Sequence, residues 1–441
     1  MSERLALDGG TPTVGDEHSW LRPGAAKRNH KNDGRSSLSF LLGRSPDPEE
    51  RPSRGYNRAV SRLERRWVDA TGRPHAMIVR SGALAARVAL RSVGVGPGDE
   101  VLFPAGSFFV NPEATNGATA IQVDLDPHTL QIDVEAVRAA ITSKTTAIVA
   151  LDSFGTTPDY GALLDIANRH GVALIEDATG AIGATYGTLP AGSFGSVSFA
   201  SLGMPGPVSS SSQGGVVSTS SFALRDSAQR HLAGAARPGI QFTAASVETN
   251  RDYQLDDEKA EAAEQILAQS ERLASVRAAN GYKLVMMLAE IPGIWTPSPR
   301  VGTSQVFSTF PILVQTDELG LPEHTAPVVR DVLRDCARAE GLWLDTWNPE
   351  PIGGNDLRDG ACRSSVTTEL DVYIRQQKEL PVADAMAESC VVLGRGSSPF
   401  DSAHTHGPME VIASCLRKIL VTNVDRFRSI VNERLDLVTR Y

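Results

Sequence analysis

Residues 174–180 read Leu-Ile-Glu-Asp-Ala-Thr-Gly, an apolar run that stops at two adjacent carboxylates, Glu176 and Asp177. Such a run predicts the end of a buried β-strand. In an open α/β sheet, ligands bind outside the carboxyl ends of the strands. A carboxylate placed there needs a cation or a hydrogen-bond donor as its partner. The stretch therefore predicts both the type of sheet and the place at which a ligand binds.

A second short strand is predicted at residues 192–199, Gly-Ser-Phe-Gly-Ser-Val-Ser-Phe. It leads through Ala-Ser-Leu-Gly-Met-Pro-Gly-Pro-Val to four serines, Ser209 to Ser212, and then to Gln-Gly-Gly-Val-Val at residues 213–217. Serines between prolines and glycines favour a flexible polar loop. The second interpretation of this loop is a hydroxyl-lined lid over a binding site.

Strand and helix patterns alternate around these two stretches. In the first predicted helix, Val60, Leu63 and Trp67 recur at spacings of three and four. Strands that alternate with helices are typical of βαβ units and of a largely parallel sheet, so the predicted fold class is α/β. Helices are predicted at residues 58–71, 81–93, 133–143 and 160–170, and strands at residues 76–80, 100–104, 120–124, 147–151 and 172–176.

The pattern changes after residue 255. Residues 256–288 contain few helix breakers and predict one long helix or two, and a strand at 307–314 and helices at 325–340, 383–390 and 409–421 follow. A domain holds roughly 100–200 residues, so a chain of 441 residues is expected to form two or three parts. We predict an N-terminal arm at residues 1–57, a large domain at 58–275 and a smaller C-terminal α+β domain at 276–441.

Composition limits the kinds of partner. The net charge is −9, from 43 basic and 52 acidic residues, and no basic cluster with interleaved aromatic residues occurs, so no nucleic-acid partner is expected. No apolar run approaches the ~18 residues of a membrane helix, so no membrane partner is expected. The four cysteines form no Cys-x-x-Cys pair, which favours a reduced, cytoplasmic protein. The expected substrate is a small molecule.

Five segments resemble the sugar aminotransferases of the DegT/StrS type. They are Leu-Ala-Leu-Asp-Gly-Gly-Thr-Pro at residues 5–12, Arg-Ser-Gly-Ala at 80–83, Gly-Val-Gly-Pro-Gly-Asp-Glu-Val at 94–101, Val-Asp-Leu-Asp-Pro at 123–127 and Ile-Glu-Asp-Ala at 175–178. The resemblance implies a transferase dependent on pyridoxal phosphate (PLP), with the type I fold of aspartate aminotransferase, that acts as a homodimer. Members aminate keto sugars on nucleotide carriers, or cyclitols in antibiotic pathways.

The resemblance implies two contacts with the cofactor phosphate. Ser81, Gly82 and Ala83 lie at a predicted helix N-terminus, where free N–H groups and the helix dipole favour an anion. The alternative is a plain strand-to-helix turn. The family usually has threonine where this chain has Ala83, so one hydroxyl contact is absent. Ser198 matches a phosphate-binding serine, and an ordinary strand serine is the alternative.

Two further residues are implied to contact the cofactor ring. Phe108 matches an aromatic residue that stacks on the ring, and a core phenylalanine is the alternative. Asp177 matches the carboxylate that keeps the ring nitrogen protonated, which makes the ring an electron sink. The alternative for Asp177 is a capping or salt-bridged carboxylate, and the functional role is the favoured interpretation.

The chain departs from the family at the residue that transamination depends on. The lysine that forms the Schiff base with the cofactor corresponds to Gly203, and no lysine occurs between residues 145 and 258. Gly180 also replaces a usually polar residue. Asp252 replaces an asparagine that reaches the neighbouring subunit's cofactor, and it places a negative charge near a phosphate. Without an amine nucleophile and base, a conventional ping-pong transaminase is excluded, and the catalytic residue stays unknown.

Two functions are consistent with this pattern. The favoured hypothesis is an enzyme of antibiotic or aminosugar biosynthesis that reuses the cleft, either with non-covalent PLP or pyridoxamine phosphate (PMP) or with no cofactor. The alternative is a non-catalytic pseudo-aminotransferase that binds and supports an active relative. His404 and His406 have the spacing of a chelating pair. Because no third ligand is signalled, a solvated loop is the interpretation and no metal site is predicted.

Overall fold

A mostly parallel sheet forms the centre of the larger part of the chain. The computed structural model describes residues 4–14, 58–107, 115–203, 214–232, 255–347, 374–376, 379–394, 399–401 and 407–438. Its strands are β1 (His75–Val79), β2 (Glu100–Pro104), β3 (Thr119–Val123), β4 (Thr145–Leu151), β5 (Ala173–Asp177), β6 (Thr185–Tyr186), β7 (Leu189–Pro190), β8 (Val197–Ser201), β9 (Gly215–Thr219), β10 (Ile294–Trp295), β11 (Phe310–Val314), β12 (Asp345–Thr346), β13 (Ile374–Gln376) and β14 (Cys390–Leu393).

Most of the described helices match predicted ones, whereas Phe222–Leu232 and Val424–Val438 were not predicted. They are α1 (Arg58–Thr71), α2 (Gly82–Ser92), α3 (Val134–Ala140), α4 (Tyr160–His170), α5 (Phe222–Leu232), α6 (Asp257–Leu267), α7 (Ser270–Leu288), α8 (Ala326–Ala339), α9 (Pro381–Ser389), α10 (Pro408–Arg417) and α11 (Val424–Val438). The breaker-poor stretch after residue 255 is thus two helices. The helix predicted to end at residue 421 is α-helical only to Arg417 and continues as a π-helical turn, Lys418–Thr422.

The central sheet runs in the order β1-β9-β8-β5-β4-β2-β3-β13. Its strands are parallel except β9, which is antiparallel to both β1 and β8. The sequence of β4, Thr-Thr-Ala-Ile-Val-Ala-Leu, is apolar on both sides because the sheet is covered on both faces. The prediction of a mainly parallel α/β sheet is confirmed.

Helices pack on both faces of this sheet. On one face, α2 and α5 contribute Val88 and Ala228 to a core that includes Phe199. On the other, α1 and α6 pack over β1, β8 and β9, and α3 and α4 pack over β2 to β5. This arrangement leaves the carboxyl ends of β1, β4, β5 and β8 at one edge, beside the first turn of α2.

Local signals decide where these helices begin and end. Ser81, Asp133 and Asp159 precede α2, α3 and α4, and each side chain accepts a hydrogen bond from an N–H of the first turn. α4 ends at Gly171, whose φ of 66° is left-handed. These residue types are the standard start and stop signals, which is why the predicted bounds of α4 are confirmed.

The C-terminal part contains an antiparallel sheet of order β10-β11-β14-β12. Its core includes Leu284 of α7, Ile312 of β11, Leu333 of α8 and Phe427 of α11. β13 leaves this part and pairs with β3 in the central sheet. α7 crosses the predicted boundary at residue 275, and the division into domains stays a prediction.

The N-terminal residues 4–14 pack on the C-terminal part, where Leu5 and Val14 are buried. The rest of the predicted arm, residues 15–57, lies outside the described residues. Within the described part of the chain, no helix combines the length and apolar character that a membrane crossing requires.

Candidate active site

Asp177 ends β5 at the carboxyl edge of the sheet and is 4% exposed. Its Oδ1 accepts hydrogen bonds from Thr179 N at 3.1 Å and from Thr179 Oγ1 at 2.5 Å. No donor among the described residues reaches Oδ2. Burial raises the pKa of Asp177 to about 6, although the hydrogen bonds from Thr179 act in the opposite direction. A buried carboxylate with one open oxygen is suited to a cationic N–H group.

The first turn of α2 lies directly against the end of β8. A Cβ on Gly82 would be 2.4 Å from Ser201 Cβ and 2.6 Å from Ser201 Oγ, so only glycine fits there. Ser81 Oγ accepts from Leu84 N at 3.2 Å and caps the helix. Ala83 is exposed on the same turn. The helix N-terminus and the Ser201 hydroxyl together form a place suited to an anion.

Thr179 connects the carboxylate to this anion site. Ser201 N donates to Thr179 Oγ1 at 2.9 Å, and Thr179 Oγ1 donates in turn to Asp177. Sequence reasoning missed both Thr179 and Ser201. The available signal for Ser201 was the alternation of side chains along a strand. Ser201 lies two residues after Phe199 in β8, so both face the side of the sheet on which α2 packs.

Ser198 is the second residue of β8, fully buried, on the face opposite to Ser201. It pairs with Glu176 in β5 and with Ser218 in β9. Trp67 Nε1 donates to Ser218 Oγ at 3.1 Å on that face. Ser198 Oγ has no hydrogen-bond partner among the described residues. The structure thus brings Ser81, Gly82 and Asp177 to one edge and leaves Ser198 away from it.

Other predicted site residues lie outside the described residues, and they stay predictions. They are Phe108, Asp252, the serines at 209–212, His404 and His406. Within the described ranges, no group of three or more His, Cys, Asp or Glu side chains is arranged to hold a metal ion.

Gly203 follows β8 and is exposed. Its N donates to Ser201 Oγ at 3.4 Å, which places residue 203 next to the anion site. Lys144 precedes β4, at the opposite edge of the sheet. The other described lysines are engaged with carboxylates: Lys259 with Asp256, Lys283 with Glu410 and Lys418 with Glu340.

Gly180 lies against the backbone of the loop that follows β4. A Cβ on Gly180 would be 2.5 Å from Asp152 O and 3.5 Å from Ser308 Oγ. Any side chain at residue 180 therefore requires the Asp152 backbone to move. The polar contact that the family resemblance implies at this position has no room here.

A pair of fully buried carboxyl groups, Asp152 and Glu176, lies on the other face of the same edge. Tyr160 OH donates to Asp152 Oδ1 at 2.6 Å, and Asp152 Oδ2 has no partner among the described residues. Glu176 accepts from Gly192 N at 2.5 Å and from Phe194 N at 2.7 Å. Glu176 therefore positions the turn that leads into β8.

Burial controls the protonation of these two groups. It raises the pKa of Asp152 well above its ordinary range and that of Glu176 to about 7. Sequence reasoning missed Asp152. The available signal was its place directly after β4, the strand next to β5, because neighbouring parallel strands end at the same edge.

The described residues fit part of a PLP-type cofactor. The α2 N-terminus and Ser201 suit its phosphate, and Asp177 Oδ2 suits its protonated ring nitrogen. Residue 203 supplies no amine, and residue 180 supplies no side chain. The described groups therefore suit a phosphate and a protonated ring nitrogen.

The fold and this edge site define an α/β protein with the type I fold of PLP-dependent transferases. Residues 54–330 match the model of the DegT/DnrJ/EryC1/StrS aminotransferase family, and the chain belongs to that family. The predicted family is thereby confirmed, and four of the five segments, at residues 80–83, 94–101, 123–127 and 175–178, lie within the matched range.

Curated relatives share part of the chain. An L-glutamine:2-deoxy-scyllo-inosose aminotransferase from Streptomyces kanamyceticus is 35% identical over 223 residues, which cover 50% of this chain and 50% of that protein. The GDP-perosamine synthase of Caulobacter vibrioides is 34% identical over 165 residues, which cover 37% of this chain and 44% of that protein. The chain thus spans about half the length of the first of these relatives and less of the second.

Solved structures share the fold over nearly the whole chain. A DegT DnrJ EryC1 StrS aminotransferase from Brucella abortus matches with a TM-score of 0.70 and 21% identity, over 90% of this chain and 98% of that one. The E. coli GDP-4-keto-6-deoxy-D-mannose-3-dehydratase matches with a TM-score of 0.67 and 18% identity, over 86% of this chain and 95% of that one. At these identities the likeness establishes the fold alone.

Proposed function

We propose that this chain is an enzyme of antibiotic or aminosugar biosynthesis that binds PMP or PLP without a covalent bond. It acts on a small molecule, of the amino or keto sugar or cyclitol class, by a route other than conventional ping-pong transamination. Family membership supports the substrate class, because its curated relatives include a 2-deoxy-scyllo-inosose aminotransferase and a perosamine synthase.

One observation carries the proposal: an open carboxylate oxygen and an anion site lie at the same edge. The sequence resemblance assigns the family's lysine position to Gly203, which contacts Ser201 at that edge. Asp177 Oδ2 is the atom that would hold a proton on the ring nitrogen. The first turn of α2 and Ser201 would hold the phosphate. When bound, the cofactor supplies an electron sink for chemistry at the carbon next to its amine.

The proposal is tested by measuring binding and covalent attachment separately. We expect the purified chain to bind PMP in a calorimetric titration. With stoichiometric PLP, removal of the unbound aldehyde and then borohydride, we expect no single lysine to carry a stoichiometric adduct. Asp177→Asn, which keeps the size of the side chain, should weaken PMP binding by about tenfold or more, because hydrogen bonds to charged groups contribute ~1.5–3 kcal/mol.

Two outcomes contradict this function. Absence of PMP and PLP binding at millimolar concentration would rule out the cofactor-using enzyme. A borohydride-stable adduct on a lysine of the wild-type chain would show that a covalent attachment exists after all. Both measurements use the full chain and need no knowledge of the substrate.

The glycine at residue 203 also supports a second candidate, a non-catalytic pseudo-aminotransferase paired with an active relative. Co-purification with a lysine-bearing member of the family, together with failure of the isolated chain to bind cofactor, would favour it. Activity of the isolated chain on a keto or amino sugar would exclude it. A homodimer and a cytoplasmic location also stay predictions, and sedimentation analysis measures the first.

A further inference from the structure

A short chain of hydrogen bonds joins the two halves of the proposed cofactor site. Ser201 N donates to Thr179 Oγ1 at 2.9 Å, and Thr179 Oγ1 lies 2.5 Å from Asp177 Oδ1. We propose that Thr179 is a positioning residue that directs Asp177 Oδ2 toward the ligand and sets the pH range in which Asp177 binds it. This inference rests on the proposed function.

The direction of each hydrogen bond follows from counting protons. A threonine hydroxyl has one proton to donate. Because an ionised carboxylate can only accept, Thr179 Oγ1 donates this proton to Asp177 while it accepts from the Ser201 N–H. Thr179 N donates to the same oxygen at 3.1 Å. Both donors therefore converge on Oδ1, which fixes the plane of the carboxylate and leaves Oδ2 to the ligand.

Ser201 ties this orientation to the anion site. Its side chain is packed against Gly82, the first residue of α2. The N–H of Gly203 donates to Ser201 Oγ at 3.4 Å. One residue thus touches the turn that would hold a phosphate and, through Thr179, the carboxylate that would hold a ring nitrogen. Thr179 is buried, at 9% exposure.

The charged and titratable groups around Asp177 do not replace Thr179. The nearby titratable groups are Asp152 after β4, Tyr160 on α4 and Glu176 on β5. None of them carries a positive charge that could stabilise the ionised carboxylate of Asp177. β8 carries no charged residue, and the first one within α2 is Arg87. Arg80, before α2, is exposed. Among the described residues, the hydrogen bonds from Thr179 are what counteracts burial and keeps the pKa of Asp177 at about 6.

The test compares Thr179→Val with Thr179→Ser. Valine has the shape of threonine but no hydroxyl, whereas serine keeps the hydroxyl. Binding needs a deprotonated Asp177, so PMP affinity falls as the pH drops through the pKa of Asp177. Losing a hydrogen bond to a charged group raises that pKa by about one unit. We expect the acid limb of the affinity–pH curve to move up by about one pH unit in Thr179→Val and to stay in place in Thr179→Ser.

A second readout does not depend on cofactor binding. The carboxyl carbon of Asp177 can be titrated by ¹³C NMR in the protein without ligand, with Asp177→Asn identifying its resonance. The same upward shift is expected in Thr179→Val. A folded Thr179→Val protein with the wild-type titration of Asp177 overturns the inference. If wild-type protein binds no PMP, the proposed function fails, and the NMR titration still decides the role of Thr179.

Discussion

Gly203 is exposed, and its N–H contacts Ser201 Oγ at the carboxyl edge of the sheet. We predict that Gly203→Lys will form a covalent adduct with PLP, because the family resemblance assigns the lysine position to residue 203 and an ε-amine is the nucleophile. The measurement is a visible absorption band after PLP addition, followed by a mass increase on borohydride reduction.

Gly203→Arg is the matched control for this substitution. It adds a side chain of similar length and charge but no primary amine, so we expect neither the band nor the mass increase. If the lysine variant also shows no adduct while it binds PMP like the wild-type chain, the assignment of residue 203 to the family's lysine position is wrong.

At the scale of single elements, α1 and β1 are joined by a carboxyl group with a perturbed pKa. Glu64 of α1 accepts from Ile78 N of β1 at 3.2 Å. Burial raises the pKa of Glu64 from 4.5 to about 7. The folded state therefore holds this proton more tightly than the unfolded state. Glu64 thus costs stability as the pH rises from about 4.5 to about 7.

We predict that Glu64→Gln will flatten this part of the stability–pH curve. Glutamine keeps an oxygen that accepts from Ile78 N and does not titrate. The free energy of unfolding of Glu64→Gln minus that of wild type should increase by roughly 1–3 kcal/mol from pH 5 to pH 8. The size of this range allows for partial solvation of Glu64. Urea unfolding at the two pH values measures it.

The control is Glu261→Gln. Glu261 lies on α6 and is an exposed ion-pair partner of Arg62 on α1. Exposed ion pairs contribute roughly 0–1 kcal/mol, so its stability should change little and equally at both pH values. Parallel pH dependences of wild type and Glu64→Gln would show that Glu64 does not titrate in this range.

At the scale of the whole molecule, Glu340 fastens the N-terminal residues to the C-terminal part. It is fully buried and accepts from Ala6 N at 2.7 Å, from Thr13 N and Thr13 Oγ1 at 2.8 Å, and from Lys418 Nζ at 2.9 Å. Lys418 Nζ also donates to Thr11 O at 2.8 Å. Two distant segments of the chain thus share one carboxylate.

We predict that Glu340→Gln will lower the free energy of unfolding by about 3 kcal/mol, because breaking a buried ion pair leaves a buried charge without its partner. Amide hydrogen exchange at Ala6 and Thr13 should become faster than elsewhere in the core. Glu433→Gln, which removes an exposed partner of Arg426, should cost less than about 1 kcal/mol. Unchanged exchange at residues 4–14 would contradict the anchoring role.

The two parts of the molecule also meet beside the candidate site. Gly155 has a φ of 86°, and a Cβ there would be 2.5 Å from Phe307 N. Val306 N donates to Gly155 O at 2.7 Å. This contact brings Ser308 close to Gly180. The strand predicted from residue 307 begins only at Phe310, because Phe307 itself has a φ of 46°, which is incompatible with a strand.

The candidate site was only partly predictable. Local patterns place Asp177 at the end of an apolar strand and Ser81 and Gly82 at a helix N-terminus, and the family resemblance implied their roles. Thr179 and Ser201 were missed since their roles depend on which face of β8 meets α2. Ser198 illustrates the same point. Its distance in sequence from residue 203 matches the family pattern, but side chains alternate along β8, so Ser198 lies on the face opposite to Ser201.

The sequence by itself determined the alternation of strands and helices, the family and the absence of any lysine from 145 to 258. Those properties are local or compositional, and no packing changes them. Only the tertiary structure decided that Thr179 links Asp177 to Ser201, that Asp152 leaves no room for a side chain at residue 180, and that Glu340 holds the N-terminal residues. Each depends on contacts between segments distant in sequence, whose distances are set when the sheet and its helices pack together.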